Sequence, residues 1–308
     1  MTGFTPPDDA RASREDLDFW RPHLVEILER HGLRSPGASP TAGGRSTYPV
    51  FLCGDAVVKL FGGTRSWRSS FESERAAHAR LAADPGIAAP RLLAHGRLCE
   101  RESAAWPYLV TTRMPGCAWQ AAGLGPAERR ALAAETGELI RRVHALPAAG
   151  AATDLAGTGL DPAAAAARSS LPPHLVARVD AYLARLGPPD RVFVHGDVTG
   201  AHLFVDGGRL CGLIDWGDAA VTDRHYELIQ ILRDAFDCDR ELLRIFLDAS
   251  AWPMAEDFPD RALGHALWRQ AAGVAQHHTM DVFEPVAARW DLAAIATLEG
   301  LARTLFAL

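Results

Sequence analysis

The stretch from Arg191 to Trp216 constrains this chain more than any other. An apolar, strand-like run at Arg191–Val194 leads into His195-Gly196-Asp197. Two further apolar runs, Leu203–Val205 and Leu210–Ile214, bracket the turn Asp206-Gly207-Gly208. Asp197 thus follows one strand and Asp215 follows the hairpin, so two carboxylates are held at neighbouring strand ends. Such an arrangement suits phosphoryl transfer, in which one carboxylate orients or deprotonates an attacking hydroxyl and another holds Mg2+ against the β- and γ-phosphates. Mg2+ favours oxygen ligands, which makes Asp215 a sensible metal residue.

The flanking regions differ in character. Asp16 to His31 carries apolar residues at helical spacing (Leu17, Trp20, Leu24, Ile27, Leu28), and a Ser/Pro/Gly-rich loop, Ser35 to Gly44, ends that helix. Tyr48–Leu52 and Ala56–Phe61 flank a Gly54-Asp55 turn and read as a hairpin. Phe71–Ala83 is helical by period and is stopped by Asp84-Pro85-Gly86, while Ala89–Gly96 and Trp106–Met114 supply two more strands. Strands with one helix make a small α+β lobe, punctuated by Pro115-Gly116, and a long amphipathic helix at Pro126–Leu146 opens a mostly helical half. The lobe boundary is placed near residue 115. Ala148–Ser170 is a low-complexity Ala/Gly/Asp stretch that reads equally as a flexible connection or a weakly specified helical insertion. Beyond Ile214 the chain to Leu308 reads as periodic helix.

Composition excludes several function classes. A chain of 308 residues, 48% hydrophobic and 23% charged, buries a sizeable core and suits two packed lobes. A net charge of −6 leaves no basic footprint for nucleic acid. The polar start, Met1 to Ala10, and the lack of any long apolar run point to a cytoplasmic protein without membrane contact. Cys53, Cys99, Cys117, Cys211 and Cys238 form no C-x-x-C pair and are expected to be buried free thiols. Of the 32 basic residues all but one are arginines, and the single lysine, Lys59, lies on the second strand of the first hairpin. One retained lysine in so arginine-rich a chain invites a chemical explanation.

The segment H-G-D from His195 to Asp197, followed by I-D-W from Ile214 to Trp216, resembles the catalytic signature of the aminoglycoside phosphotransferase and choline-kinase-related family of small-molecule kinases. Other stretches resemble that family too. V-V-K-L-F, ending at Phe61, is similar to the strand carrying its phosphate-binding lysine, and Glu74, fifteen residues on, matches the helical glutamate that pairs with it. P-Y-L-V-T-T-R-M-P-G, residues 107 to 116, looks like its hinge strand, E-L-I-R-R-V-H-A-L ends the matching helix at Leu146, and Asp223 to Leu228 resembles its D-x-x-Y-D/E-L element. The resemblance covers roughly Thr47 to Leu232.

This resemblance implies a protein-kinase-like two-lobed α+β fold. Residues 1–115 would be a small antiparallel-sheet N-lobe that binds nucleotide, and residues 116–308 a larger helical C-lobe with the catalytic loop and acceptor site. It also implies Asp197 as catalytic base, Asp215 as the Mg2+ ligand, His195 as a structural brace and Lys59, paired with Glu74, on the phosphates of ATP or GTP. Backbone groups of Thr111, Thr112 and Arg113 would meet the base, and the loop Gly43-Gly44-Arg45-Ser46-Thr47, including Ser46, would cover the phosphates without a full G-x-G-x-x-G fingerprint. The partner is a hydroxyl-bearing small molecule of antibiotic type, an aminoglycoside-like or nucleoside compound. Oligomeric state is not legible.

One position departs from the family. Five residues after the base, where most members carry asparagine, stands His202, an imidazole that either ligates metal or packs. Singly, these residues have duller readings: Lys59 as a strand-edge charge, Glu74 on a solvated helix face, Asp197 and Asp215 as turn residues. They weaken together, because order and spacing agree with one mechanism. Asp218 and Asp223 read as turn or cap residues, His277 and His278 point different ways on a helix, and Trp268, Trp290, Asp281 and Glu284 read as core or surface. Three rivals stay open: a kinase of an ordinary metabolite, a nucleotide-binding pseudokinase, and a metallohydrolase built on His195, Asp197, His202 and Asp215.

Overall fold

A computed structural model describes residues 6–7, 12–34, 37, 39–44, 46–99, 105–149, 153–155, 159–277 and 280–308. Helix α1 (Leu17–Arg30) starts where the Asp16 carboxylate accepts from the Phe19 amide, and it lays Trp20, Leu24, Ile27 and Leu28 on a sheet. That sheet is antiparallel with order β1-β2-β3-β5-β4, from β1 (Thr41–Ala42), β2 (Val50–Cys53), β3 (Ala56–Leu60), β4 (Leu92–Arg97) and β5 (Pro107–Thr112). The indole of Trp20 meets that of Trp106 at 5.1 Å between ring centres, against Phe51 and Val58 at zero exposure, and this cluster is the core of the small lobe. Lys59 occupies the middle of the central strand β3, opposite Val50 on one side and Leu109 on the other. Helix α2 (Trp67–Leu81) buries Ser73, Glu74, Ala77, His78 and Leu81 along one face, so Glu74 points inward rather than to water.

After β5 the chain enters the large lobe. Gly116, at φ +73°, brings the backbone so close to the hairpin that a Cβ would meet the Val205 carbonyl at 2.0 Å. Strand β6 (Cys117–Ala118) then pairs with β8 (Leu203–Asp206), which pairs with β9 (Arg209–Leu213). Strand β7 (Val192–Val194) pairs antiparallel with β10 (Ala220–Thr222). Around these small sheets pack α3 (Pro126–His144), the short α4 (Pro162–Ala166), α5 (Pro173–Val176), α6 (Val179–Leu183) and α7 (Leu228–Gln230), then α8 (Arg240–Ala249), α9 (Phe258–His277), α10 (Glu284–Ala287) and α11 (Leu298–Phe306). Helix α3 rests on α8, and α9 on α4 and α11, around one continuous apolar core. The molecule is thus a sheet lobe joined to a helical lobe, as the resemblance implies.

Three expectations need amendment. The region after Ile214 is not all helix: Ala220–Thr222 adds a strand because it completes a ladder with β7, and π-helical turns follow at Ile231–Ala235. Of the ambiguous Ala148–Ser170 stretch, residues 162–166 form α4, capped by the Asp161 carboxylate on the Ala164 amide, while 150–152 and 156–158 lie outside the described residues. All five cysteines are free, but only Cys53 and Cys238 are buried; Cys117, on a two-residue edge strand, is exposed. Among the described residues no helix is long and apolar enough to cross a membrane.

Candidate active site

The two lobes meet at Lys59. Its ammonium donates to Glu74 Oε2 at 2.7 Å within the small lobe and, across the cleft, to Asp215 Oδ1 at 2.8 Å. The rings of Tyr48 and Phe61 flank it at 5.8 and 5.3 Å. Burial alone pulls the ammonium down, but the charges of Asp215 and Glu74 outweigh it and hold Lys59 above the ordinary lysine value, so it stays charged. One cation cannot fully compensate two carboxylates. Asp215 remains below the usual carboxylate range because the field of Lys59 overcomes its burial, whereas burial, reinforced by Asp215, pushes Glu74 up to about 7 against the pull of Lys59. The Asp215 side chain is 37% exposed against 7% for Glu74, so it is the carboxylate that opens onto the cleft. Asp215 also takes the left-handed backbone region at φ 62°, a conformation more tolerable for aspartate than for most residues and one that aims the side chain away from its strand.

Asp197 is held on a turn built from both sides. Gly196, at φ +84°, passes so close to Asp218 that a Cβ would lie 2.3 Å from the Asp218 carbonyl, so no other residue fits there. The amides of His195 and Gly196 donate to the fully buried Glu227 carboxylate at 2.7 and 3.1 Å, and His144 from the end of α3 faces the other Glu227 oxygen at 2.8 Å. This contact accounts for both the helix ending at His144 and the Asp223 to Leu228 element. His195 has both ring nitrogens in use. Nε2 donates to the Ile214 carbonyl at 2.9 Å and Nδ1 accepts from the Asp197 amide at 3.1 Å, and burial lowers the ring to about 4, so it is a neutral brace. That occupation removes His195 from the His/Asp set a hydrolase would need.

His202 lies between Asp197 and Asp215. Its Nδ1 is 2.8 Å from the Asp197 carbonyl, an acceptor, and must donate to it; this leaves Nε2 facing Asp215 Oδ2 at 3.8 Å. Burial opposes protonation of this ring, but the carboxylates of Asp215 and Asp197 prevail and raise it above the ordinary imidazole value. Among the described residues no group of three or more His, Cys, Asp or Glu side chains forms a protein-only metal cage. Mg2+, however, is commonly held by one or two protein groups plus substrate phosphates. The Asp215 carboxylate on the cleft wall fits that kind of site, and His202 Nε2, 3.8 Å from Asp215 Oδ2, adds a nitrogen that hard Mg2+ takes less readily than oxygen.

The cleft itself has a volume of about 750 Å3, in the range of a nucleotide-sized ligand site, with Arg14, Ser46 and Tyr48 on the sheet side and Asp197, His202 and Asp215 on the helical side. Arg14 donates to the Ser46 carbonyl at 2.6 Å, while the Gly43 amide is spent on the Val50 carbonyl; Arg45 lies outside the described residues. Thr111, Thr112 and Arg113 are not brought into this cavity: the amides of Thr112 and Arg113 donate to the carbonyls of Arg91 and Asp55, within the small lobe. Asp218 reaches the cleft wall from the turn 216–218, and Asp223 is a buried cap that accepts from the His225 and Asp190 amides and from Arg261. Trp268 lines a separate, apolar cavity of about 480 Å3 with Leu160, Leu183, Leu186, Tyr226 and His265, which contains none of the groups above. Trp290 packs against the core, the Asp281 carboxylate caps the Ser170 amide, and His278 lies outside the described residues.

Reading the sequence missed Arg269 and Arg14. Arg269, on α9, donates to Asp197 Oδ1 at 2.7 Å. One arginine among so many carried no signal, and only its position on a periodic helix facing the H-G-D turn distinguishes it.

With this geometry in view, comparisons with known proteins agree. The chain is 32% identical over 168 residues to an aminoglycoside 3'-phosphotransferase of Streptomyces fradiae, spanning 48% of this chain and 59% of that protein. It is 43% identical over 54 residues to another from Niallia circulans, 17% of this chain and 21% of that one. The chain thus spans less than two thirds of the curated relatives it matches. Its fold is similar to a wild-type aminoglycoside 2'-phosphotransferase solved with GDP (TM-score 0.62, 16% identity, 91% of this chain and 95% of that one). It is also similar to the macrolide 2'-phosphotransferase of Brachybacterium faecium (TM-score 0.57, 23% identity, 95% and 98%). A family model described as the phosphotransferase enzyme family matches residues 38–263, and the chain belongs to that family.

Proposed function

We propose that this protein is a small-molecule kinase that transfers the γ-phosphoryl group of ATP or GTP to a hydroxyl of an antibiotic, an aminoglycoside-like or nucleoside compound, and so inactivates it. The observation that carries this reading is the meeting of Lys59 with Glu74 and Asp215 across a cleft whose other wall holds Asp197. The relatives supply the class of acceptor, since the curated ones are aminoglycoside phosphotransferases. Dependence on a donor nucleotide fits an enzyme of the cytoplasm.

In this reading residues 1–115 form the nucleotide lobe and 116–308 the catalytic and acceptor lobe. Lys59, braced by Glu74, exchanges its bond to Asp215 for the nucleotide phosphates, a task for a compact cation on a flexible stem. Asp215, with His202 beside it, would hold Mg2+, which would supply charge neutralisation on the phosphates. Asp197 orients the acceptor hydroxyl. As the acceptor oxygen forms its bond to the γ-phosphorus, the bond from that phosphorus to the β,γ-bridging oxygen breaks. The electron pair leaves with the nucleoside diphosphate, and the hydroxyl proton passes to an Asp197 carboxylate oxygen. Ser46 and Thr47, on the cleft wall, cover the phosphates. Thr111 to Arg113 meet the base through groups other than the amides of Thr112 and Arg113, which already donate to Arg91 and Asp55.

Incubating the protein with Mg2+, ATP or GTP and a panel of aminoglycosides, macrolides, nucleoside antibiotics and hydroxyl metabolites, with mass detection of one added phosphate, tests this. Phosphorylated antibiotic supports the reading. Phosphorylation of metabolites only moves the enzyme to another substrate class, and Mg2+-dependent nucleotide binding without turnover makes it a pseudokinase.

A further inference from the structure

The catalytic turn is held by a residue that no motif contains. Arg269 comes from α9, 72 residues along the chain from Asp197, and is only 5% exposed. One guanidinium nitrogen, Nη2, donates to Asp197 Oδ1 at 2.7 Å; the other, Nη1, donates to the Gly196 carbonyl and to the Tyr226 hydroxyl at 3.3 Å. The plane of the guanidinium lies over the Tyr226 ring, 5.3 Å from its centre. The fork therefore grips a carboxylate and the carbonyl of the residue before it at once. Those two contacts fix the aspartate side chain relative to its own backbone, which a single point contact cannot do. With Oδ1 so engaged, Oδ2, 3.5 Å from His202 Nδ1, is the oxygen left to meet an acceptor.

We propose that Arg269 is a positioning residue for phosphoryl transfer, holding Asp197 so that Oδ2 alone receives the acceptor hydroxyl. The proposal rests on the reading of Asp197 as the base. Its partners set it apart from a merely structural arginine. A buried cation that served only packing would need a counter-charge anywhere in reach, whereas Arg269 spends its fork on the two consecutive residues of the H-G-D turn that aim the base. The turn is then clamped from both directions, Glu227 taking its two amide hydrogens and Arg269 its carbonyl and carboxylate.

The test compares wild type, Arg269→Gln, Arg269→Lys, Arg269→Ala and Asp197→Ala. Turnover of ATP and GTP is measured with kanamycin as acceptor, and with water alone should kanamycin not be phosphorylated. The expected result for Arg269→Gln is a kcat lowered about 100-fold, the scale of a base displaced by an ångström, with the KM for nucleotide within about twofold of wild type. Arg269→Lys recovers part of kcat, and added guanidinium ion restores turnover to an Arg269→Ala protein while leaving wild type unchanged. If Arg269→Gln does not fold, Arg269→Lys, which keeps a buried cation, is read alone on the same split. A wild-type kcat in the arginine variants beside an inactive Asp197→Ala overturns this proposal and leaves the function standing. Loss spread equally over nucleotide KM and kcat, with no rescue by guanidinium, assigns Arg269 a structural role and also overturns it. Wild-type turnover by Asp197→Ala removes the base itself.

Discussion

Two buried cations serve this cleft, and they work in opposite ways. Lys59, in the sheet lobe, divides one ammonium between Glu74 of its own lobe and Asp215 of the other. Arg269, in the helical lobe, spends a rigid fork on one turn. A point charge on a four-carbon stem can change partners when phosphates arrive, and the shared, partly exposed Asp215 is the partner it is able to give up. A planar guanidinium bound through two nitrogens loses both contacts if it moves. The small lobe thus has an adjustable grip and the large lobe a fixed aim, which matches the proposed division between a donor that enters and leaves and a base that stays in place.

The sharpest way to break that contrast is to remove the fixed part. Asp197→Ala is expected to lower kcat by about 10,000-fold, the upper range for a positioned general base, while Mg2+-nucleotide binding measured by thermal shift is retained. Were nucleotide binding lost in parallel, the aspartate would belong to the grip and the two regions would not be separable.

Next in size is exchange of one cation type for the other. Lys59→Arg keeps the charge but brings a fork to a site arranged for a point, and kcat/KM for nucleotide should fall about 100- to 1,000-fold, as on losing one preorganised donor. Activity within about threefold of wild type would show that charge alone matters at this position, and would leave the lone lysine of the chain without a chemical reason.

Legibility in the sequence divides along the same line. Lys59 stands out because every other basic residue is an arginine, and Glu74, Asp197 and Asp215 stand out by spacing. Their convergence could be anticipated because short strands and one helix bring such spacings together in few ways. Arg269 was not legible: it lies 72 residues beyond Asp197, and local patterns say nothing about which helix face returns to the turn. The strand at Ala220–Thr222 was missed for a related reason, since its partner β7 lies far upstream in the chain and a three-residue run has no period of its own. The hinge residues Thr111–Arg113 were assigned by resemblance alone, and the amides of Thr112 and Arg113 already donate to the carbonyls of Arg91 and Asp55.

Acidity probes the fixed region from another side. Burial lowers His195 to about 4 from an ordinary 6.5, so the folded turn holds it neutral while the unfolded chain protonates it between those values. Over that window the unfolded chain then binds more protons than the folded one at this ring, so the contribution of His195 to stability is full above pH 6.5 and is lost as pH drops toward 4, by about 3 kcal/mol. Urea midpoints of wild type and His195→Gln at several pH values check this: the variant should lose less stability between pH 6.5 and 4. Parallel curves would mean that the ring is not the buried neutral brace its two hydrogen bonds indicate.

The smallest expected effect concerns His202, which faces both regions. Its Nδ1 is tied to the Asp197 carbonyl and its Nε2 faces Asp215, so it links the fixed turn to the site that Lys59 must vacate. Imidazole ranks below an amide oxygen for Mg2+ but above it for softer divalent ions. His202→Asn is therefore expected to shift the ratio of Mg2+- to Mn2+-supported turnover about tenfold toward Mg2+, a change typical of adjusting one metal-site residue. Metal affinity, read directly by titrating Mn2+ into nucleotide-bound protein, should weaken in the same variant. If the ratio and the affinity stay fixed while kcat alone drops, His202 acts on the Asp197 turn and not on metal, and the large lobe's fixed aim extends one residue further than Arg269 and Glu227 take it.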